Sequence, residues 1–428
     1  MKTKLIQSTI LLFIVSFIAK ILSFIIKIQL AKTMNQQTMV LYTLSSSTMI
    51  FLITFVQLGL PSTLNTMIAK SKNTIPIIQN SLFISFFTNT IAIGIYVFTI
   101  PYLTNNTLEF SQTPVLLSII PLLPLVTISG LCKGYCLGKQ KIILANSSAI
   151  TEEVLRMLFL VICYPYVYHS PTLYASFAIL SIAIGEIGAI LHMLLFMNNT
   201  NHISQLFVKK YVSQTQIKEI LSYAIYMTSS RFIGSFTHFL EPLLFNLPNH
   251  LYLQTHLITT FSYIHAYVLP IITLPSFFTF ALSSWLLSSL SHHVAHHQIK
   301  QAKTILYYVL GISFSIGIFG STICYLFPTQ LTQLFYNNTQ SAYLLKQLAL
   351  PFAIFSLQSP LSTALHAFDK SKYTVIDTTI GNIIKLLLII LLPSYYGVHT
   401  LVLSMIISML VTTLLHTYHV YTLLHNQQ

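Results

Sequence analysis

Residues 5–30 read LIQSTILLFIVSFIAKILSFIIKIQL, an apolar run whose only charges are Lys20 and Lys27. A membrane span needs ~20 predominantly apolar residues, so this run is long enough to cross a bilayer as one helix. It is too long for a secretory leader, carries two lysines and lacks a small-residue cleavage site, so it is read as a retained first span. Outward from it, the same kind of segment recurs along the 428 residues. The segments fall at 6–30, 40–68, 75–101, 113–135, 149–168 and 172–197. After a polar stretch at 198–215 they continue at 216–245, 254–290 (broken by Pro270 and Pro275), 303–327, 341–366, 373–393 and 396–424. None alternates as a barrel strand would, so each must satisfy its backbone hydrogen bonds internally, as a helix. The expected fold class is all-α: a polytopic protein of the cell membrane with about twelve transmembrane helices and no soluble domain.

Composition and charge agree. With 54% hydrophobic and 7% charged residues at mean hydropathy +0.74, eight acids and 21 bases cannot cover a soluble globule of this size. The bases mark every second connection: Lys2 and Lys4, then Lys70 and Lys72, Lys133, Lys139 and Lys141, Lys209, Lys210 and Lys218, Lys300 and Lys303, and Lys370 and Lys372. The intervening connections near 102–112, 165–172, 246–252, 328–341 and 393–397 have no Lys or Arg, and Lys32 is the exception. Basic loops stay in the cytoplasm, which places both termini there. The net charge of +13 is thereby assigned to loops facing anionic lipid headgroups, with no nucleic-acid partner. Cys132, Cys136, Cys163 and Cys324 lie in or beside apolar helices and read as packing residues. The Asn-x-Thr triplets at Asn105 and Asn337 matter only in a glycosylating secretory pathway. No cofactor motif is present, and the lack of GxxxxGK[ST] leaves any transport to be driven by a gradient or the membrane potential.

The halves repeat. SFIAKILSFIIK from Ser16 superposes on MTSSRFIGSFTH from Met227, setting Lys20 on Arg231, Ser23 on Gly234 and Lys27 on His238. LPS at 60–62 matches LPS at 274–276. GKQKIILANSSAITEEVLRMLFLVI from Gly138 parallels DKSKYTVIDTTIGNIIKLLLIIL from Asp369, so that Glu153/Arg156 meet Asn382/Lys385 after a two-residue gap. The expected domains are an N-terminal six-helix bundle, 1–205, and a C-terminal one, 206–428, in the same orientation about an axis along the membrane normal.

An intramembrane charge costs at least ~2.5 kcal/mol and needs a partner, a watery cavity or a route to the interface. Ser16, Lys20, Ser23 and Lys27 recur at helical spacing as one polar stripe, repeated by Thr228, Arg231, Ser235 and His238. Two such stripes suggest a positively lined aqueous cavity between the halves, with Lys20, Lys27, Arg231, His238 and Lys385 as candidate substrate-binding residues. The alternative is that Lys27 reaches the outer interface and Lys20 pairs with an acid. Glu153 and Arg156 are spaced to pair within their helix, whereas Lys385 has no local acid. Glu186 and Glu241 are single buried carboxylates, each either a proton- or sodium-coupling group or the neutraliser of a nearby base. HHVAHH at 292–297 offers i,i+4 chelating pairs but reads as a solvated interface segment, and no residue is assigned to a metal. No constellation asks for an enzyme.

The segment SFIAKILSFIIKIQLAKTMN…VLYTLSSSTMIFLITFVQLGLPSTLNTMIAKSK, followed by GLCKGYCLGKQKI from Gly130, THFLEPLLF from Thr237 and VLPIITLPSFFTFALSSWLLSSLS from Val268, resembles the stage V sporulation protein B family of polysaccharide and lipid-linked oligosaccharide exporters. The resemblance implies a fold like multidrug and toxin extrusion (MATE) transporters and lipid II flippases, with two six-helix bundles. It implies export of an undecaprenyl-pyrophosphate-linked saccharide, a peptidoglycan or polysaccharide precursor, in cell-wall or spore-cortex synthesis. Lys20 matches a cationic first-helix position of the lipid II flippases. A second such position falls on Ile26, and the second helix has no buried base, so lipid II itself is not implied. Relatives usually carry two further C-terminal helices, whereas this chain is expected to have about twelve in all. The alternatives are a multidrug or cation antiporter of the same fold, and a non-transporting membrane partner of cell-wall synthesis enzymes.

Overall fold

A computed structural model describes residues 2–71, 73–106, 113–197, 213–296 and 298–425. Lys72, Lys209, Lys210 and His297 lie outside the described residues. The described chain is helical throughout. Among the described residues nine helices are long and apolar enough to cross a membrane, or ten counting the bent pair Gln254–Ile272 and Ser276–Val294, which meet at 66°. Two more helices have spanning length, Ile142–Val167 and Gln214–Leu244, and these carry much of the intramembrane charge. The protein is a multi-pass membrane protein. Phe86, Phe98 and Phe319, each at least 70% exposed, are apolar side chains that lipid rather than water would accept.

Two compact units divide the chain, Met1–Ser235 and Phe236–Gln428. The first begins with α1 (Lys2–Thr33) and α2 (Gln36–Gln57). Asn35 caps α2 by accepting a hydrogen bond from the Thr38 N–H at 2.8 Å. The expected span at 40–68 falls within one apolar span, Gln36–Lys70, but its helix is interrupted, because Leu58 and Gly59 both take left-handed backbone (φ 43° and 66°) ahead of Pro61. α3 (Leu60–Lys70) then resumes. After α4 (Ile75–Asn106) the fourth segment is also broken, into α5 (Thr113–Leu117) and α6 (Leu122–Gly138), with Pro121 at the break. α7 (Ile142–Val167), α8 (Pro171–Phe196) and most of α9 (Gln214–Leu244) complete the unit.

Glycines set the closest packing. A Cβ at Gly130 would meet Pro61 Cγ at 2.9 Å, one at Gly134 the Pro61 carbonyl oxygen at 2.5 Å, and one at Gly138 Ile68 at 2.7 Å. Four-residue spacing stacks the three on one face of α6, which lies directly on α3. The GLCKGYCLG motif is therefore helix–helix contact surface. Leu60, Leu64, Ile68, Ile84 and Leu131 fill the core beside it.

The second unit repeats the pattern. After α10 (Gln254–Tyr263) comes a π-helical turn at Ile264–Val268, then α11 (Leu269–Ile272) and α12 (Ser276–Ala295). α13 (Ile299–Leu326) leads to α14 (Pro328–Tyr336), and the next span is split into α15 (Ala342–Phe355) and α16 (Gln358–Ala367). α17 (Ser371–Leu391), α18 (Pro393–Tyr396) and α19 (His399–His425) close the chain. The second and fourth spans of each half are thus the broken ones, and the second breaks at the matching LPS sequences. Leu286, Leu290, Leu306, Leu361 and Leu365 form the core of this unit.

Candidate functional site

In the first unit, α1 packs on α7 and α7 on α8. Lys20 and Lys27 are exposed on α1. Across from them Glu153 lies within electrostatic reach of Lys20 and beside Ser23, and Arg156 and Glu153 both act on Lys27. Glu153 and Arg156 pair at 3.6 Å with side chains 13% and 11% exposed, and the Arg156 Nε–H donates to Ser181 Oγ at 3.3 Å. Three bases therefore share a single acid, leaving an excess of positive charge. Lys133 of α6 donates to Glu152 Oε2 at 2.7 Å and lies 3.8 Å from Glu186 Oε2. That oxygen is buried and accepts no hydrogen bond among the described residues. Arg231 is exposed on α9, one turn from Thr228, which sits under Gly59. Phe232 lies against Phe51 and Phe55 of α2.

In the second unit, Lys385 of α17 donates to Glu241 Oε1 at 2.5 Å, the pair being 13% and 4% exposed. Lys385 has no acid near it in sequence; its partner lies 144 residues earlier, a contact no local spacing can reveal. His238 stands one turn before Glu241, its ring centroid 4.4 Å from that of His265 and 5.5 Å from that of buried Phe261. The two halves wire their charges in opposite senses. In the first, the acid Glu153 is on the fifth helix and faces bases on the first. In the second, the acid is on the first helix and the base on the fifth.

Glu186 and Glu241, expected as coupling groups or neutralisers, each lie against a lysine. Glu152, Glu153, Glu186, Glu241 and Asp377, the buried and half-buried acids of the spanning helices, each have a basic partner; Asp377 of α17 accepts at Oδ2 from His416 Nδ1 at 2.8 Å and His419 Nδ1 at 3.0 Å, while exposed Glu219 of α9 has no base within 4 Å among the described residues. Among the described residues Lys20, Lys27 and Arg231 have no acid within 4 Å. Sequence reasoning missed Lys133, counted with the basic connection after the fourth segment although it lies inside 113–135, and the Asp377 cluster. Asp377 carried a usable signal: an acid inside an apolar segment requires a partner. His292 and His296 stack at 4.3 Å on an exposed helix end. The cysteines are free, and Cys136 packs with Ala145, Ala189 and Met193.

The family described as polysaccharide biosynthesis protein matches residues 5–251. Stage V sporulation protein B of Bacillus subtilis (strain 168) is 24% identical over 431 aligned positions, covering 97% of this chain and 83% of that protein. Among solved structures, the lipid II flippase MurJ in an inward closed conformation superposes with TM-score 0.73 at 15% identity, covering 96% of this chain and 87% of that one. An inward-facing multidrug resistance MATE transporter gives TM-score 0.73 at 12% identity, with 98% of each chain covered. The fold is that of these transporters.

Proposed function

Because the chain belongs to the polysaccharide biosynthesis protein family, we propose that it is a flippase that carries an undecaprenyl-pyrophosphate-linked saccharide across the cell membrane by alternating access. The observation that carries this is the charge balance inside the spans. The buried and half-buried acids are matched by bases, while Lys20, Lys27 and Arg231 are exposed cations with no acid within 4 Å among the described residues. Cations held within the hydrocarbon region without partners are costly unless a ligand or water meets them, and a pyrophosphate is the complementary group. Lys385 contributes less directly, being tied to Glu241. His238 is half-buried against its aromatic neighbours.

The resemblance to stage V sporulation protein B favours a cell-wall or spore-cortex precursor, with synthesis enzymes as partners and both termini cytoplasmic. Coupling falls to Glu186, whose unbonded Oε2 beside Lys133 is placed to exchange a proton or cation. The likeness of the fold to flippase and transporter structures supports a transporter rather than an enzyme. A cation antiporter of the same fold would hold its substrate on carboxylates, and the buried and half-buried ones inside the spans each lie against a base.

Binding of an undecaprenyl-pyrophosphate-linked saccharide to the purified protein in nanodiscs tests the phosphate role. Replacing Lys20, Lys27 or Arg231 by Ala should each weaken binding about tenfold or more, the loss of one charge-assisted contact worth ~1.5–3 kcal/mol. An uncharged undecaprenyl-linked sugar should show no such dependence. Equal affinity of all three variants for the pyrophosphate ligand would refute the assignment.

A further inference from the structure

The second unit holds a set of donors apart from Lys20, Lys27 and Arg231. One ligand atom from each of His238, Glu241 and His265 lies within 4.8 Å of the other two. We propose that these three side chains form a binding site for a divalent transition metal ion, and that the Lys385 ammonium competes with that ion for Glu241. The inference stands apart from the flippase reading and needs no substrate.

The donor chemistry selects the metal class. Two imidazoles and one carboxylate suit Zn²⁺, Co²⁺ or Ni²⁺, whereas Mg²⁺, Ca²⁺ and alkali ions prefer all-oxygen shells. Ligands ~2.0–2.1 Å from a tetrahedral ion stand ~3.3 Å apart, so a set within 4.8 Å need close by no more than about 1.5 Å. The backbone is loosened where that movement is needed. His238 and Glu241, three residues apart, share one face of α9, and Pro242 follows at once. Proline has no N–H, so the His238 carbonyl loses its helical donor. His265 sits within the π-turn, where the Leu269 N–H reaches back to the Ile264 carbonyl. Pro270 follows closely and again supplies no donor. A π-turn inserts one residue into the helix and re-aims the side chains around it, a device common at ligand sites.

The surroundings complete the case. Phe261, 1% exposed, lies 4.3 Å from His265, centroid to centroid, and walls off one side of the imidazole pair. Glu241 is buried, but His238 and His265 are only half-buried, leaving a path for an ion. Lys385 supplies the carboxylate's cationic partner, and a metal taking Glu241 must displace that ammonium or face it across a few ångströms.

The test is Zn²⁺ titration calorimetry, with Co²⁺ absorption as the spectroscopic readout, on the tag-free full chain in nanodiscs. The background carries His292→Ala and His296→Ala, which removes the exposed histidine pair. One saturable site per chain is expected, with a Co²⁺ spectrum lacking thiolate charge transfer. His265→Phe, which keeps the ring stack, and Glu241→Gln should each weaken binding by more than the about 10- to 100-fold that loss of an outer-shell partner costs. Lys385→Gln should tighten it at least about tenfold by removing the competing charge, a gain that misfolding cannot mimic. Absence of saturable binding in this background, or binding indifferent to His265→Phe, would overturn the site. An unchanged affinity in Lys385→Gln would overturn the competition.

Discussion

At the scale of single residues, the buried ion pairs set the sharpest expectations. Lys385 and Glu241 are 13% and 4% exposed at 2.5 Å. Lys385→Ala would leave a carboxylate without its partner, at a cost of about 3–5 kcal/mol. Removing both charges together, as Lys385→Met with Glu241→Leu, should recover most of that loss. Unfolding midpoints in one detergent decide it, and a double variant as unstable as the single one would mean the pair is not the cause. Asp377 makes the same argument inside the second unit, because its fully buried Oδ2 serves two imidazoles. Asp377→Ala should cost about 1–3 kcal/mol by leaving His416 and His419 without their acceptor. His419 also stacks on Tyr373 at 4.2 Å, so loss of the carboxylate should loosen α17 against α19. Hydrogen exchange confined to those two helices would show it, and unaltered protection there would contradict it.

Among the elements, the α3–α6 contact sets a glycine directly against backbone. Gly134→Ala places a Cβ 2.5 Å from the Pro61 carbonyl oxygen, and backbone cannot rotate away as a side chain can. The helices must part, at a cost of about 1–3 kcal/mol. Gly94→Ala is the matched control: nothing lies within 4 Å of the added carbon, and a mid-helix alanine should be neutral or stabilise by up to about 1 kcal/mol. A common shift in both variants would remove the contact from the account. The spans themselves were legible, because an apolar run of bilayer length has few other stable forms. The breaks were legible only at Pro270 and Pro275. Leu58–Gly59 and the Pro121 region lie inside runs that stay apolar, so hydropathy passes over them, although Gly-Leu-Pro is itself a turn signal. The charged stripes on α1 and α9 were visible from helical spacing. Their acids were less so: Glu153/Arg156 follow from local spacing, but Lys385–Glu241 and Lys133–Glu186 depend on helices distant in sequence. His265 was invisible because the π-turn that aims it has no clear signature beyond the nearby proline.

For the molecule as a whole, the alternation of basic and base-free connections makes an orientation prediction. In a cysteine-free background, single cysteines at Lys139 and Lys370 should react with a membrane-impermeant maleimide only from the cytoplasmic side. Cysteines at Tyr102 and Asn337 should react only from outside, since all four positions are exposed. Labelling of Lys139 and Asn337 from the same face would contradict the topology. The central claim is translocation itself, and it is best measured in proteoliposomes. Fluorescent undecaprenyl-pyrophosphate-linked saccharide would be placed in both leaflets and its outer-leaflet accessibility followed with and without an imposed potential or proton gradient. The account predicts translocation well above empty liposomes that disappears when Lys20→Ala and Arg231→Ala are combined, with the variant still folded and inserted. A wild-type protein that moves nothing above empty liposomes under any of these gradients would contradict it.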